Sequence, residues 1–162
     1  MKQAVDFSLG DILKTDKIRH LRPHAVPMLG RKATVADAIQ AMQKTRRSCI
    51  LICHGKELAG ILTERDVLLK TSDGKPETLR QTLDTVMTPN PKSISMNDSV
   101  FSAIQIMTEK GFRHLAVIGE DGEVAGTISM RNVLIYLAEH FPESVYNLPP
   151  ISGQINENRD GA

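Results

Sequence analysis

The chain contains the same sequence pattern twice, and this internal repeat limits the possible folds more than any other feature. The segment 35–42 recurs at 100–107, 65 positions further on, with identical residues at five of its eight positions. The segment 58–68 recurs at 124–134, 66 positions further on, again with five identical residues. Because the spacing is kept through two different sequence periodicities, we interpret the chain as a tandem duplication of one structural unit.

Composition indicates an ordinary globular protein and argues against two kinds of partner. With 162 residues, 41% hydrophobic and 24% charged, the chain can form one domain built of two half-cores. A net charge of +1 and an aromatic content of 4% do not favour a nucleic-acid binder. No apolar run approaches the roughly 20 residues that cross a bilayer, and 1–3 does not open a signal peptide. We therefore expect a cytoplasmic protein with no membrane partner.

Each repeat predicts the same order of elements. Thr34 and Asp37 have the spacing of a capping box ahead of an apolar helix face, and Thr63 precedes acidic residues typical of a first helical turn. The first repeat predicts a strand at 25–29, a helix from 35 to about 44, strands at 48–53 and 57–62, and a helix from 64. The second repeat predicts a strand at 93–96, a helix to 110, strands at 114–118 and 123–128, and a helix from 130 to about 140.

These elements divide the chain into five predicted segments. They are an N-terminal helical extension at 1–19, repeat 1 at 20–70, a linker at 71–84, repeat 2 at 85–141 and a flexible, polar C-terminal tail at 142–162. The prolines at 89 and 91 predict an extended connector. The histidines lack the spacing of a metal site, and no nucleophile elbow or phosphate-binding glycine loop is present, so we predict neither a metal nor an enzyme.

The segments 60–66, 126–132 and 86–91 together resemble the cystathionine β-synthase (CBS) domain pair, also called a Bateman module. The family pattern is glycine, two mostly apolar residues, threonine or serine, two variable residues and aspartate. The resemblance covers about residues 20 to 140. It implies an α/β fold of two tandem CBS repeats, each β-α-β-β-α, related by pseudo-twofold symmetry, with small sheets packed by helices. It also implies regulatory binding of an adenine nucleotide in clefts between the repeats.

The chemistry of the motif agrees with that implied function. A helix N-terminus presents free backbone N–H groups and a partial positive charge, which favour a phosphate, and Thr63 and Ser129 add hydroxyls there. One turn into the helix, the carboxylate of Asp66 can accept hydrogen bonds from both hydroxyls of a ribose. The structural alternative is that the hydroxyls only cap their helices and that Asp66 only interacts with the helix dipole.

Asn132 replaces the aspartate in the second repeat. Hydrogen bonds to charged groups contribute about 1.5 to 3 kcal/mol, against about 0.5 to 1.5 kcal/mol for neutral ones. We therefore predict two unequal clefts, with the tighter binding at Asp66.

Arg113 and His114 precede the central strand of repeat 2. The resemblance implies that such residues reach a phosphate held by the other repeat. The alternative is a solvated arginine and a histidine satisfied within its strand. We omit Arg65 and Arg131 from the predicted site, because residues of a first helical turn usually point to solvent.

From the resemblance we expect a non-catalytic sensor of AMP, ADP, ATP or a related adenosyl ligand. The helices after each motif carry more apolar side chains than one helix face can bury, so we expect a homodimer. These side chains are Val67, Leu68, Leu69, Val133, Leu134, Tyr136 and Leu137. An effector protein would respond in trans. The alternative is a dimerisation module that binds no ligand.

Overall fold

Each repeat forms a small sheet covered by helices in the computed structural model, which describes residues 9–72 and 74–142. From residue 143 on, the predicted tail lies outside the described residues. The first half of the chain contains α1 (Leu9–Thr15), a 3₁₀ helix (Ile18–Leu21), β1 (Met28–Gly30), α2 (Val35–Thr45), β2 (Cys49–His54), β3 (Glu57–Thr63) and α3 (Glu64–Thr71). The second half contains α4 (Pro76–Leu79), α5 (Leu83–Val86), β4 (Thr88–Pro89), β5 (Ser93–Ser95), α6 (Val100–Lys110), β6 (His114–Ile118), β7 (Val124–Ser129) and α7 (Met130–His140).

The strands form two sheets with matching topology. In the order β1-β2-β3, β1 is parallel to β2 and β2 is antiparallel to β3; β5-β6-β7 repeats this arrangement. The predicted β-α-β-β-α order is therefore confirmed in both repeats. Cys49 faces Thr63 in the first hairpin and His114 faces Ser129 in the second, which makes these pairs structural equivalents.

The connector at 88–91 begins in an extended conformation, as predicted, and its first two residues also join the first sheet as the fourth strand, β4. Pro89 pairs with Gly60 at the edge of that sheet, where a residue without an N–H group is tolerated. The first strand differs from its prediction, since it runs from Met28 rather than from residue 25. The residues before it cross to the other repeat, where His24 and Thr127 exchange backbone hydrogen bonds of 2.9 and 3.0 Å.

Each repeat completes its core with a segment that precedes the other repeat. Ile18 and Leu21 are buried in the core of the second repeat, against α6 and α7. Leu83 and Val86 lie 65 positions further on and are buried in the core of the first repeat. The duplication therefore includes these leading segments, and their exchange holds the two repeats together.

Two glycines at equivalent positions allow another part of the chain to approach their strands closely. A Cβ atom at Gly126 would lie 2.4 Å from the carbonyl oxygen of His24, and the φ angle of Gly126 is +140°. A Cβ atom at Gly60 would lie 2.3 Å from Sδ of Met87, which is a flexible side chain and can move aside. The backbone obstruction at Gly126 cannot relax in this way.

Among the residues that the structure describes, no helix combines the length and apolar character that crossing a membrane would require.

We predict that Gly126→Ala lowers the free energy of unfolding more than Gly60→Ala does. Overpacking costs about 1–3 kcal/mol, and the positive φ angle of Gly126 adds strain. Gly30→Ala is the matched control, because no atom lies within 4 Å of its added Cβ. Urea denaturation of the three variants gives the comparison. Equal losses of unfolding free energy in Gly60→Ala and Gly126→Ala would contradict the assigned backbone obstruction by His24.

Candidate functional site

An open cleft of about 650 Å³ lies between the two repeats, and we call it the first cleft. Its walls come from the β3–α3 junction, the connector after β4 and the residues that lead into β6. Four of the six predicted site residues line it: Thr63, Asp66, Arg113 and His114. The first two belong to repeat 1 and the last two to repeat 2. The fold therefore brings together side chains that lie about 50 positions apart in the sequence.

Thr63 and Asp66 form a capping box at the start of α3. The backbone N–H and the hydroxyl of Thr63 donate to Oδ2 of Asp66 at 2.9 and 2.7 Å, and the N–H of Asp66 donates to Oγ1 of Thr63 at 3.2 Å. Both bonds that the carboxylate accepts end on Oδ2. A carboxylate has about four acceptor positions, so half-buried Asp66 can still accept hydrogen bonds from a ligand.

The expectation of free backbone N–H groups at this helix start is wrong for two of its first three residues. The N–H of Glu64 donates to the carbonyl oxygen of Ser48 at 2.9 Å, and the N–H of Asp66 is held by Thr63. Because these donors are already used, positive charge for a phosphate must come mainly from side chains.

Three cationic side chains line the first cleft. Arg113 was predicted, whereas Arg65 and Lys92 were not. Arg65 is exposed, as expected for a first helical turn, yet it also borders the cleft. The carboxylates of Glu64 and Asp66 lie in the same wall. Three cations against two carboxylates leave the cleft with a small excess of positive charge.

Lys92 could not be found from the repeat pattern. Its counterpart 65 positions earlier is Pro27, so the duplication carries no lysine signal. Its place in the cleft follows from the pairing of β4 with β3, which brings the connector beside the first repeat.

His114 connects the two repeats inside the first cleft. Its Nε2 atom lies 3.2 Å from Oγ of Ser48, which precedes β2. Burial, and then the neighbouring positive charge of Arg113, lower the pKa of His114, while Glu64 acts in the opposite direction. The imidazole is therefore neutral at pH 7 and can either donate to or accept from the serine hydroxyl.

Ser129 and Asn132 occupy the equivalent position in repeat 2 and do not line the first cleft. Only 6% of Asn132 is exposed. Its Oδ1 accepts from the N–H and hydroxyl of Ser129 at 3.0 and 2.7 Å, and its Nδ2 donates to the carbonyl oxygen of Leu21 at 3.4 Å. The amide thus links α7 to the 3₁₀ helix Ile18–Leu21.

The chain belongs to the CBS domain family, whose model matches residues 9–73 and 83–139. The CBS domain-containing protein CBSCBSPB5 of Arabidopsis thaliana is 30% identical over 105 residues, 65% of this chain. The chain spans only about a fifth of that plant protein, 19% of its length.

Two solved structures have a similar fold. The CBS domain protein PAE2072 from Pyrobaculum aerophilum, complexed with AMP, has a TM-score of 0.67 and 21% identity; the match covers 76% of this chain and 99% of that one. CBSX2 in complex with AMP has a TM-score of 0.60 and 20% identity, covering 82% and 97% of the two chains. At these identities the likeness establishes the fold alone.

We predict that the free energy of unfolding falls between pH 7.5 and 5.5, and that His114→Gln removes part of this fall. The pKa of His114 is lowered in the folded chain, so below about pH 6.5 the unfolded chain binds more protons. The contribution is complete above that pH and is lost as the pH falls through the lower, folded value. His24 is exposed, and its pKa is lowered by partial desolvation and then by the positive charges of Arg47 and Arg131, so it acts in the same direction.

Urea denaturation at the two pH values measures the difference. His24→Gln should reduce the same fall, and a His114→Gln protein with the complete wild-type difference would contradict the prediction.

Proposed function

We propose that the protein is a non-catalytic regulatory module that binds an adenine nucleotide in the first cleft. The observation that carries the proposal is the half-buried carboxylate of Asp66, which Thr63 fixes and which lines the same cleft as Arg113 of the other repeat. The AMP complexes of the two similar structures support the choice of ligand class. The ligand would be AMP, ADP, ATP or a related adenosyl ligand. We also expect a cytoplasmic location.

Each part of a nucleotide has a counterpart in the lining of the first cleft. Asp66 would accept hydrogen bonds from the ribose hydroxyls, and the charged acceptor makes these bonds strong. Ile61 and Pro91 give an apolar surface for the planar base. Arg113, with Lys92 beside the same cleft, would neutralise the phosphate. Ser129 and Asn132 would instead serve the structure of repeat 2, so the proposal has one ribose site rather than two.

Binding at this place can produce a signal because the cleft walls belong to different repeats. A nucleotide held by Asp66 and Arg113 would bridge repeat 1 to repeat 2 and favour one relative arrangement of the two. A ligand shifts such an equilibrium only by its difference in affinity for the two arrangements. The response would reach a homodimer interface or an effector protein in trans.

The alternative function is a dimerisation module without a ligand. It is favoured by the exposed apolar side chains of α3 and α7. Leu68 and Leu69 are 69% and 63% exposed, and Leu134 and Ile135 are 58% and 43% exposed. Exposed apolar patches of this kind commonly mark interfaces. Both functions use this surface, so only ligand binding separates them.

We predict that Asp66→Ala abolishes most of the stabilisation that AMP gives. A ligand at 100 times its dissociation constant adds about 2.7 kcal/mol, which raises Tm by about 5–10 °C for a chain of this length. Calorimetric titration with AMP and thermal unfolding give the two readouts.

Asp37→Ala is the matched control for that experiment. Asp37 makes the same three bonds with Thr34, at 2.8, 2.7 and 3.2 Å, at the start of α2. Loss of either carboxylate removes the same three bonds and should therefore lower the stability of the ligand-free chain in both variants. Only Asp66→Ala should lose the AMP effect. Equal AMP stabilisation of both variants would reject Asp66 as the ribose ligand, and no effect of AMP, ADP or ATP on the wild type would favour the ligand-free module.

We predict that Leu134→Glu converts a homodimer into a monomer. A charge introduced on the exposed apolar face of α7 would have to be buried without a partner in the dimer, which costs several kcal/mol. Met28→Glu is the control, because Met28 is similarly exposed, at 56%, but lies on β1. Light scattering at micromolar concentration measures the mass. A monomeric wild type, or a Leu134→Glu dimer, would contradict the assigned interface.

A further inference from the structure

The imidazole of His114 lines the first cleft, and its hydrogen-bond partner there is an uncharged side chain. Its Nε2 atom lies 3.2 Å from Oγ of Ser48, on the other repeat. A hydroxyl can donate to a neutral imidazole and can accept from a charged one, so this contact suits both protonation states. Among the residues that the structure describes, His20 forms an ion pair with Asp16, whereas His114 has no carboxylate within ion-pair distance.

The charged groups that share the first cleft with His114 come from three parts of the chain. They belong to the residue that leads into β6, to the start of α3 and to the connector after β4. These groups are Arg113, Glu64, Arg65, Asp66 and Lys92. Three cations against two carboxylates leave a positive excess, which opposes a further positive charge on the half-buried imidazole.

A phosphate beside Arg113 would reverse this charge balance. The phosphate of AMP carries between one and two negative charges near neutral pH, because its second pKa is about 6. Arg113 and His114 are consecutive residues that both line the first cleft, so a phosphate at Arg113 would also lie near His114. An anion at that place favours the charged imidazole, which can then donate a charge-assisted hydrogen bond to a phosphate oxygen.

We propose that His114 takes up a proton when the first cleft binds the phosphate of a nucleotide, so that acidification strengthens the contact of the protein with that phosphate. This coupling rests on the nucleotide binding proposed above, and it makes the same cleft respond to pH. Binding and protonation are linked reciprocally. A ligand that favours the charged imidazole is itself bound more tightly at a pH where the charged form is more populated.

The test is calorimetric titration of the complete chain with AMP at pH 7.5 and at pH 5.5, for the wild type and for His114→Gln. The phosphate of AMP itself gains a proton near pH 6, which weakens the binding of AMP to both proteins alike. Comparing the pH effect in the two proteins removes this contribution. On acidification, the wild type should gain about fivefold in AMP affinity relative to His114→Gln, the difference between a charged and a neutral hydrogen bond.

Three further measurements assign the proton to His114 and to the phosphate. At pH 6.5, titrations with AMP in buffers of different ionisation enthalpy count the protons taken up, and the wild type should take up more than His114→Gln. Adenosine has no phosphate, so its affinity for the wild type should not rise at pH 5.5, and this comparison needs no variant. His24→Gln is the matched control and should keep the wild-type gain, because the pKa of His24 is also lowered but His24 does not line the first cleft.

Three results would overturn the coupling while AMP still binds at pH 7.5, which leaves the proposed function intact. They are the same pH effect on AMP affinity in the wild type and His114→Gln, a rise in adenosine affinity at pH 5.5 equal to the gain for AMP, and loss of the gain in His24→Gln. If AMP, ADP and ATP bind at neither pH, the proposed function itself is rejected, and the coupling with it.

Discussion

The exchange of leading segments between the repeats is the constraint on which the rest of the structure depends. Ile18 and Leu21 complete the core of repeat 2, and Leu83 and Val86 complete the core of repeat 1. Neither repeat can therefore bury its apolar face without chain that belongs to the other half. The same exchange carries the connector after β4 along the first cleft, so one packing arrangement stabilises the fold and also builds a wall of the candidate site.

One local motif has a different role at each place where it occurs. Capping boxes begin α2, α3 and α7, with Asp37, Asp66 and Asn132 as the residue that returns to the cap. Asp37 is exposed at the surface, Asp66 is half-buried beside a cleft, and Asn132 is buried against Leu21. Hydrogen bonding within the helix start is nearly the same in the three cases. Whether such a motif can hold a ligand therefore depends on its surroundings. Asn132 is covered by Leu21, whereas Asp66 borders an open cleft.

Sequence reasoning could predict what local chemistry determines. The capping box of Thr34, the hairpins and the helix at Val100 follow from periodicity and from hydroxyl caps. The role of β4, the approach of Lys92 to the cleft and the burial of Asn132 depend on how one repeat meets the other, which no local pattern encodes. One long-range signal was available, because the apolar pair Ile18 and Leu21 has the repeat offset of 65 from Leu83 and Val86. That signal extends the duplication into the segment predicted as an N-terminal extension.

The duplication created two equivalent positions, and their electrostatics are now different. The first cleft has the carboxylates of Glu64 and Asp66 among its cations, which suits the proposed nucleotide because its ribose offers hydroxyl donors and its phosphate offers negative charge. At the equivalent position in repeat 2, Met130 and Asn132 replace these two carboxylates. The two repeats contact each other at the starts of β2 and β6. There Ser48, which precedes β2, is hydrogen-bonded to His114, the first residue of β6. A phosphate beside Arg113 would offset the positive charge that lowers the pKa of His114. The contact between Ser48 and His114 therefore joins the two repeats at the same place where the proposed nucleotide would bind.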